Sequence, residues 1–193
     1  AQIAGEIQPD SGRIHFDGRD ITSFPVHERA RLGIRRMFQL TRVFRGYRAI
    51  ENVLLAFRAQ NGHGSSFWKD GRADRALRQS ALSLLDQVGL EDRAEVKAGV
   101  LSHGEQRQLE IAMVLAGSPR LLLLDEPTAG MGIEETERMV TLLSHLRGKL
   151  SVLLVEHDMD AVNALADRVT VLVYGRVIAS GAVDEIRAHP EVR

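Results

Sequence analysis

Three short apolar runs, Leu121–Leu124, Val152–Val155 and Val169–Val173, most constrain how this 193-residue chain folds. A strand with one wet face alternates apolar and polar residues. A run that stays apolar fits a strand covered on both faces, as in a parallel sheet between layers of helices. Between the first two runs lies a helical stripe, Met139, Leu142, Leu143 and Leu146, at spacing i, i+3, i+4, i+7. Strand–helix–strand alternation predicts a doubly wound α/β core. With 44% hydrophobic residues the chain can bury one.

The first half follows a different pattern. Arg13–Gly18 alternates apolar and polar and is expected to form a half-buried strand, and Ile34–Phe38 a second one ending at Gln39. From Ile50 the period turns helical. Leu77, Ala81, Leu84, Leu85 and Val88 share a helix face with Gly89 as its stop, after a polar, glycine-rich loop at Asn61–Ser66. Residues 49–101 therefore read as an α-helical subdomain inserted between 1–48 and 102–193. Ala1–Gly5 reads as the last turn of a helix capped by Gly5, so the chain is expected to begin in mid-element.

Composition argues against several classes of function. A formal net charge of -1 provides no basic field for nucleic acid, and 5% aromatic residues is too few for a base-stacking platform. No cysteine is present, which removes disulfide scaffolds and thiolate chemistry. No apolar run approaches the roughly 20 residues of a membrane-spanning helix.

In an open parallel sheet, ligands bind beyond the carboxyl ends of the strands. Leu121–Leu124 delivers Asp125-Glu126-Pro127 to such an end, and Val152–Val155 delivers Glu156-His157-Asp158. These acids can simply cap the helices that follow. They also suit nucleotide hydrolysis: Asp125 as a carboxylate for the magnesium of Mg-ATP, Glu126 as general base and His157 as a γ-phosphate contact. A third segment, Leu101-Ser102-His103-Gly104-Glu105, has two compatible readings. Ser102 and Glu105 form a capping box for a helix carrying Leu109, Ala112, Met113 and Ala116 inward. The same N-terminus, with a serine and a glycine, is also a natural phosphate site.

The stretch LSHGEQRQLEIAMVLAGSPRLLLLDEP resembles the signature helix and Walker B block of ABC ATPases, in order and at the family's spacing. Gln39 resembles the Q-loop glutamine, Ala129-Gly130-Met131-Gly132 the D-loop and Glu156-His157-Asp158 the H-loop. MFQLTRVFRGYRAIENVLLAF and the closing HPEVR are similar to importer ATPases for branched-chain amino acids and related amides. The resemblance implies a P-loop NTPase-like fold, with a mainly parallel sheet, an inserted helical subdomain and a small antiparallel β part. It implies an ATP-hydrolysing importer subunit with ATP and Mg2+ as cofactors, paired with a second ABC subunit and with permease subunits on the cytoplasmic face of a membrane. Catalysis would fall to Glu126 and His157, magnesium to Gln39 and Asp125, and the partner's nucleotide to Ser102, Gly104 and Glu105. His103 stands in place of the signature's first glycine, Glu105 in place of its glutamine, and Gly132 where many members carry aspartate. No G-x-x-x-x-G-K-[ST] occurs in the 193 residues, so this chain alone is expected to be inactive, its phosphate loop lying upstream of Ala1. The alternative is a non-hydrolysing regulatory or assembly module.

Overall fold

The computed structural model describes residues 1–37, 43–60 and 71–192. Gln39, Phe38 and the Asn61–Ser66 loop lie outside the described residues. Residues 1–6 close a helix-end turn in which Gly5 N–H donates to Gln2 O and Glu6 N–H to Ala1 O. Gly5 takes φ +86, the left-handed conformation that such a cap requires.

Two short strands follow, β1 (His15–Phe16) and β2 (Arg19–Asp20), paired antiparallel. The expected Arg13–Gly18 strand is thus shorter than its alternation suggests. Asp17 and Gly18 both take positive φ, 51° and 74°, and reverse the chain in a two-residue turn. Helix α1 (Val26–Arg31) leads to β3 (Ile34–Arg36).

The helical layer comprises α2 (Ala49–Gln60), α3 (Gly71–Gln87) and α4 (His103–Leu115). Strand β4 (Leu121–Asp125), helix α5 (Ile133–Leu146), strand β5 (Ser151–Val155) and helix α6 (Met159–Leu165) then alternate. The chain closes with β6 (Val169–Val173), β7 (Arg176–Gly181) and α7 (Val183–Ala188).

Strands β3, β4 and β5 form a parallel sheet with β4 in the centre. The two faces of β4 explain its sequence. Leu122 and Leu124 join the main core with Leu109, Ile111, Met139 and Leu142, whereas Leu123 packs with Ala4, Ile21 and Ile34 on the other side. Both faces are covered, so no polar position is tolerated in Leu121–Leu124. The predicted stripe on α5 is buried at all four positions.

The other two apolar runs depart from expectation. Strand β5 pairs in parallel with β4, but Val152, Leu153 and Val155 are exposed, because among the described residues its second edge has no strand beside it. Among the described residues, strand β6 joins no parallel sheet. It pairs antiparallel with β7 through a turn at Tyr174 and Gly175, both at positive φ, and leaves Leu172 and Val173 exposed. A two-residue turn can join only antiparallel strands, and that local geometry overrides the apolar run.

Arg29 of α1 ties the N-terminal part together. Its side chain is fully buried and donates from Nε to Phe24 O at 2.8 Å, from Nη1 to Gln2 O at 2.7 Å and Ile3 O at 3.0 Å, and from Nη2 to Thr22 O at 2.7 Å. Among the described residues, no helix is long and apolar enough to cross a membrane.

Candidate functional site

The carboxyl ends of β4 and β5 meet in register, Asp125 opposite Val155. Asp125 ends β4 with its Oδ2 accepting from Arg36 Nη2 at 3.1 Å, and Arg36 also pairs with Glu6. A guanidinium therefore holds the face of the carboxylate toward β3. Among the described residues, the other oxygen of Asp125 has no protein partner.

Glu126 sits in a turn at φ +46, a conformation that costs a non-glycine residue energy and needs support. Its N–H donates to Val155 O at 2.9 Å, its carbonyl accepts from Ala129 N, and its Oε1 lies 3.5 Å from His157 Nδ1. His157 is largely exposed, at 76% of its side chain. Asp158, by contrast, caps α6, its Oδ1 accepting from Asp160 N at 2.9 Å and Ala161 N at 3.3 Å. The capping role thus falls to Asp158, one residue beyond the histidine.

Glu156 holds these loops together, a role no spacing rule reveals. Its carboxylate is 1% exposed. It accepts from the N–H and hydroxyl of Thr128 in the β4 loop and from the N–H groups of His157 at 3.0 Å and Asp158 at 3.4 Å in its own loop. A buried carboxylate needs such a donor set. Its burial follows from the fold, since the residue type and position would equally suit a solvated acid.

The second cluster is at the start of α4. Ser102 caps the helix, its Oγ accepting from Glu105 N at 3.2 Å while Glu105 Oε2 accepts from Ser102 N at 2.8 Å. Glu105 Oε1 accepts from Arg93 Nε at 2.9 Å, so both its oxygens are engaged within the protein. Beside this cap lies a cavity of about 350 Å³ lined by Arg93, Ser102, Gly104, Gln108, Glu135 and Arg138, among others. Glu135 of α5 reaches into it, its Oε1 accepting from Ser102 Oγ at 2.9 Å and Gly104 N at 3.2 Å. A Cβ on Gly104 would come within 2.7 Å of that carboxylate, which is why glycine belongs there. The Ser102 hydroxyl, followed by the Gly104 and Gly132 amides, holds the Glu135 carboxyl below the usual carboxylate range.

The structure thus brings Asp125, Glu126 and His157 to one place and Ser102, Gly104 and Glu105 to another. Among the described residues the two groups share no hydrogen bond or ion pair. Glu135 and Glu156 complete them and are invisible to motif spacing.

The family model described as ABC transporter matches residues 1–129. The chain belongs to the ABC transporter family. Relatives of this ABC transporter chain include the high-affinity branched-chain amino acid transport ATP-binding protein BraF of Pseudomonas aeruginosa, 37% identical over 200 residues, 98% of this chain and 77% of that protein. The protein of the same description named LivG in Escherichia coli K12 is 35% identical over 197 residues, with the same two coverages. Among solved structures, an ATP-binding cassette of an ABC transporter superposes with a TM-score of 0.83 at 27% identity, covering 99% of this chain and 79% of that one. The ABC transporter chain is therefore an ABC-type ATPase domain of P-loop NTPase fold.

Proposed function

We propose that this ABC transporter chain is the ATP-binding and ATP-hydrolysing subunit of an importer for branched-chain amino acids or related compounds. The observation that carries the hydrolytic part is the meeting of Asp125, Glu126 and His157 at two adjacent strand ends, with Glu126 Oε1 3.5 Å from His157 Nδ1. The likeness to BraF and LivG over nearly the whole chain supports the substrate class.

Glu126 takes the proton of the attacking water as general base, and His157 contacts the γ-phosphate beside it. Ser102 and the Gly104 N–H, at the positive end of α4, take the γ-phosphate of the partner's nucleotide, with Glu105 holding the cap in shape. The residues present suit magnesium: Asp125 keeps one oxygen without a protein partner, and magnesium takes one or two carboxylates alongside nucleotide phosphates. Asp125 and Gln39 would hold it. Bound there, magnesium neutralises charge on the phosphates. The working unit pairs two such subunits with permease subunits, on the cytoplasmic face of a membrane. Within one subunit, 1–48 and 102–193 form the nucleotide-binding core, and 49–101 the helical subdomain.

The 193-residue chain is expected to show no ATP turnover alone and to gain it when a strand and G-x-x-x-x-G-K-[ST] loop are joined ahead of Ala1, since the amides and lysine of that loop cradle the phosphates. Turnover without the loop would place the phosphate site elsewhere. Deleting the gene in its host should reduce uptake of radiolabelled leucine, and unchanged uptake would remove the amino-acid assignment.

A further inference from the structure

Glu135 occupies the very place at the start of α4 that an incoming phosphate would need. Its position is the third of α5, in the first turn of that helix, and it accepts hydrogen bonds from Ser102 Oγ at 2.9 Å and Gly104 N at 3.2 Å at the start of α4. Two helix N-termini thus converge on one carboxylate. Each end carries a partial positive charge from its unpaired N–H groups, and a single anion satisfies both. The fit is close, because a Cβ on Gly104 would already touch the carboxylate. A second anion cannot share these donors while the carboxylate holds them, since Ser102 Oγ and Gly104 N–H are both spent on it and like charges at hydrogen-bond range repel.

We propose that Glu135 is a resident anion that keeps the phosphate site of α4 shut in the free subunit, and that it must swing away before the partner's nucleotide can dock on Ser102 and Gly104. The inference rests on the reading of Ser102 and Gly104 as γ-phosphate ligands given above. The cavity supplies the alternative seat for the displaced carboxylate. Arg138 lines it three residues further along α5, on the same helix face, and its charge already attracts the Glu135 carboxylate, with no hydrogen bond or ion pair between them among the described residues. Closing the nucleotide sandwich then exchanges one anion for another at the start of α4 while Glu135 moves to Arg138. Such a latch disfavours docking without a phosphate and lets a subunit tell a nucleotide-loaded partner from an empty one.

The test is a titration of inorganic phosphate into the 15N-labelled chain, followed at the Gly104 and Ser102 amides. In Glu135→Gln, which preserves shape and removes the charge, phosphate should bind about tenfold more tightly than to the unaltered chain. Glu135→Asp, too short to reach Ser102, should show part of the same gain and serves if the glutamine variant is poorly folded. Glu134→Gln removes the same charge from a neighbour that touches neither Ser102 nor Gly104, and should leave the affinity where it was. Adding Ser102→Ala to Glu135→Gln should abolish the gain. Equal affinity in the unaltered chain and Glu135→Gln would overturn the latch while leaving the phosphate site standing. An equal gain in Glu134→Gln would reduce the effect to overall charge and also overturn it. Phosphate that moves Gly104 in none of the variants would remove the site itself, and the latch with it.

Discussion

Glu126→Gln, made in this chain joined to a phosphate loop, is expected to lower ATP turnover by about 10²–10⁴-fold, the usual cost of removing a positioned base. Nucleotide should still bind, because the side chain of Glu126 neither caps a helix nor fills the core; among the described residues its ion-pair partner is His157, at 3.5 Å. The melting temperature should stay near that of the unaltered protein for the same reason. The backbone at φ +46 is held by the amide donating to Val155 O, which the substitution leaves in place. Measuring single-turnover hydrolysis and nucleotide affinity on one preparation separates chemistry from binding. Hydrolysis at the unaltered rate would take the base assignment away from Glu126.

Arg29→Leu is expected to be the most damaging change to stability outside the main core. It deletes four hydrogen bonds from one buried cation and leaves the carbonyls of Gln2, Ile3, Thr22 and Phe24 short of a donor. Hydrogen bonds to charged groups each contribute about 1.5–3 kcal/mol, but they are not additive within one group, so a loss of about 4 kcal/mol is expected. For a domain of this size that lowers Tm by roughly 10 °C. Arg29→Lys should recover only part of the loss, since an ammonium lacks the planar fork that spans these carbonyls. Thermal unfolding followed by circular dichroism reads both variants. A leucine variant melting with the parent would show that the N-terminal turn is held by apolar packing alone.

Much of the centre of the fold is legible in the sequence. Leu121–Leu124 announces a strand buried on both faces, and Leu122 and Leu123 enter separate clusters on opposite sides of the sheet. Met139, Leu142, Leu143 and Leu146 announce the buried face of α5, and Ser102 with Glu105 announces a capping box that the structure contains. Val169–Val173 misleads because an apolar run carries no information about its neighbour. Tyr174-Gly175 decides the pairing, and a tyrosine at positive φ is an uncommon turn residue. Asp17-Gly18 is a stronger hairpin signal than the alternation around it, and it marks where β1 turns back.

The candidate site divides along the same line. Asp125, Glu126 and His157 are legible because sheet topology alone puts the ends of successive parallel strands side by side. Glu135 is not, since its partner Ser102 lies 33 residues earlier and only the packing of α5 against α4 brings them together. Glu156 is not, because burial of a carboxylate depends on where Thr128 and two backbone amides happen to point.

That buried carboxylate has a consequence for how the site meets its ligand. With Thr128, His157 and Asp158 already bound to Glu156, the two loops are assembled before any nucleotide arrives. Little conformational entropy remains to be lost there on docking. The amide protons of Thr128 and His157 should accordingly exchange slowly with solvent deuterium in the empty protein, despite the exposure of the imidazole beside them. Binding heat then reports contacts to the phosphates and not the ordering of the loops that hold Glu126 and His157.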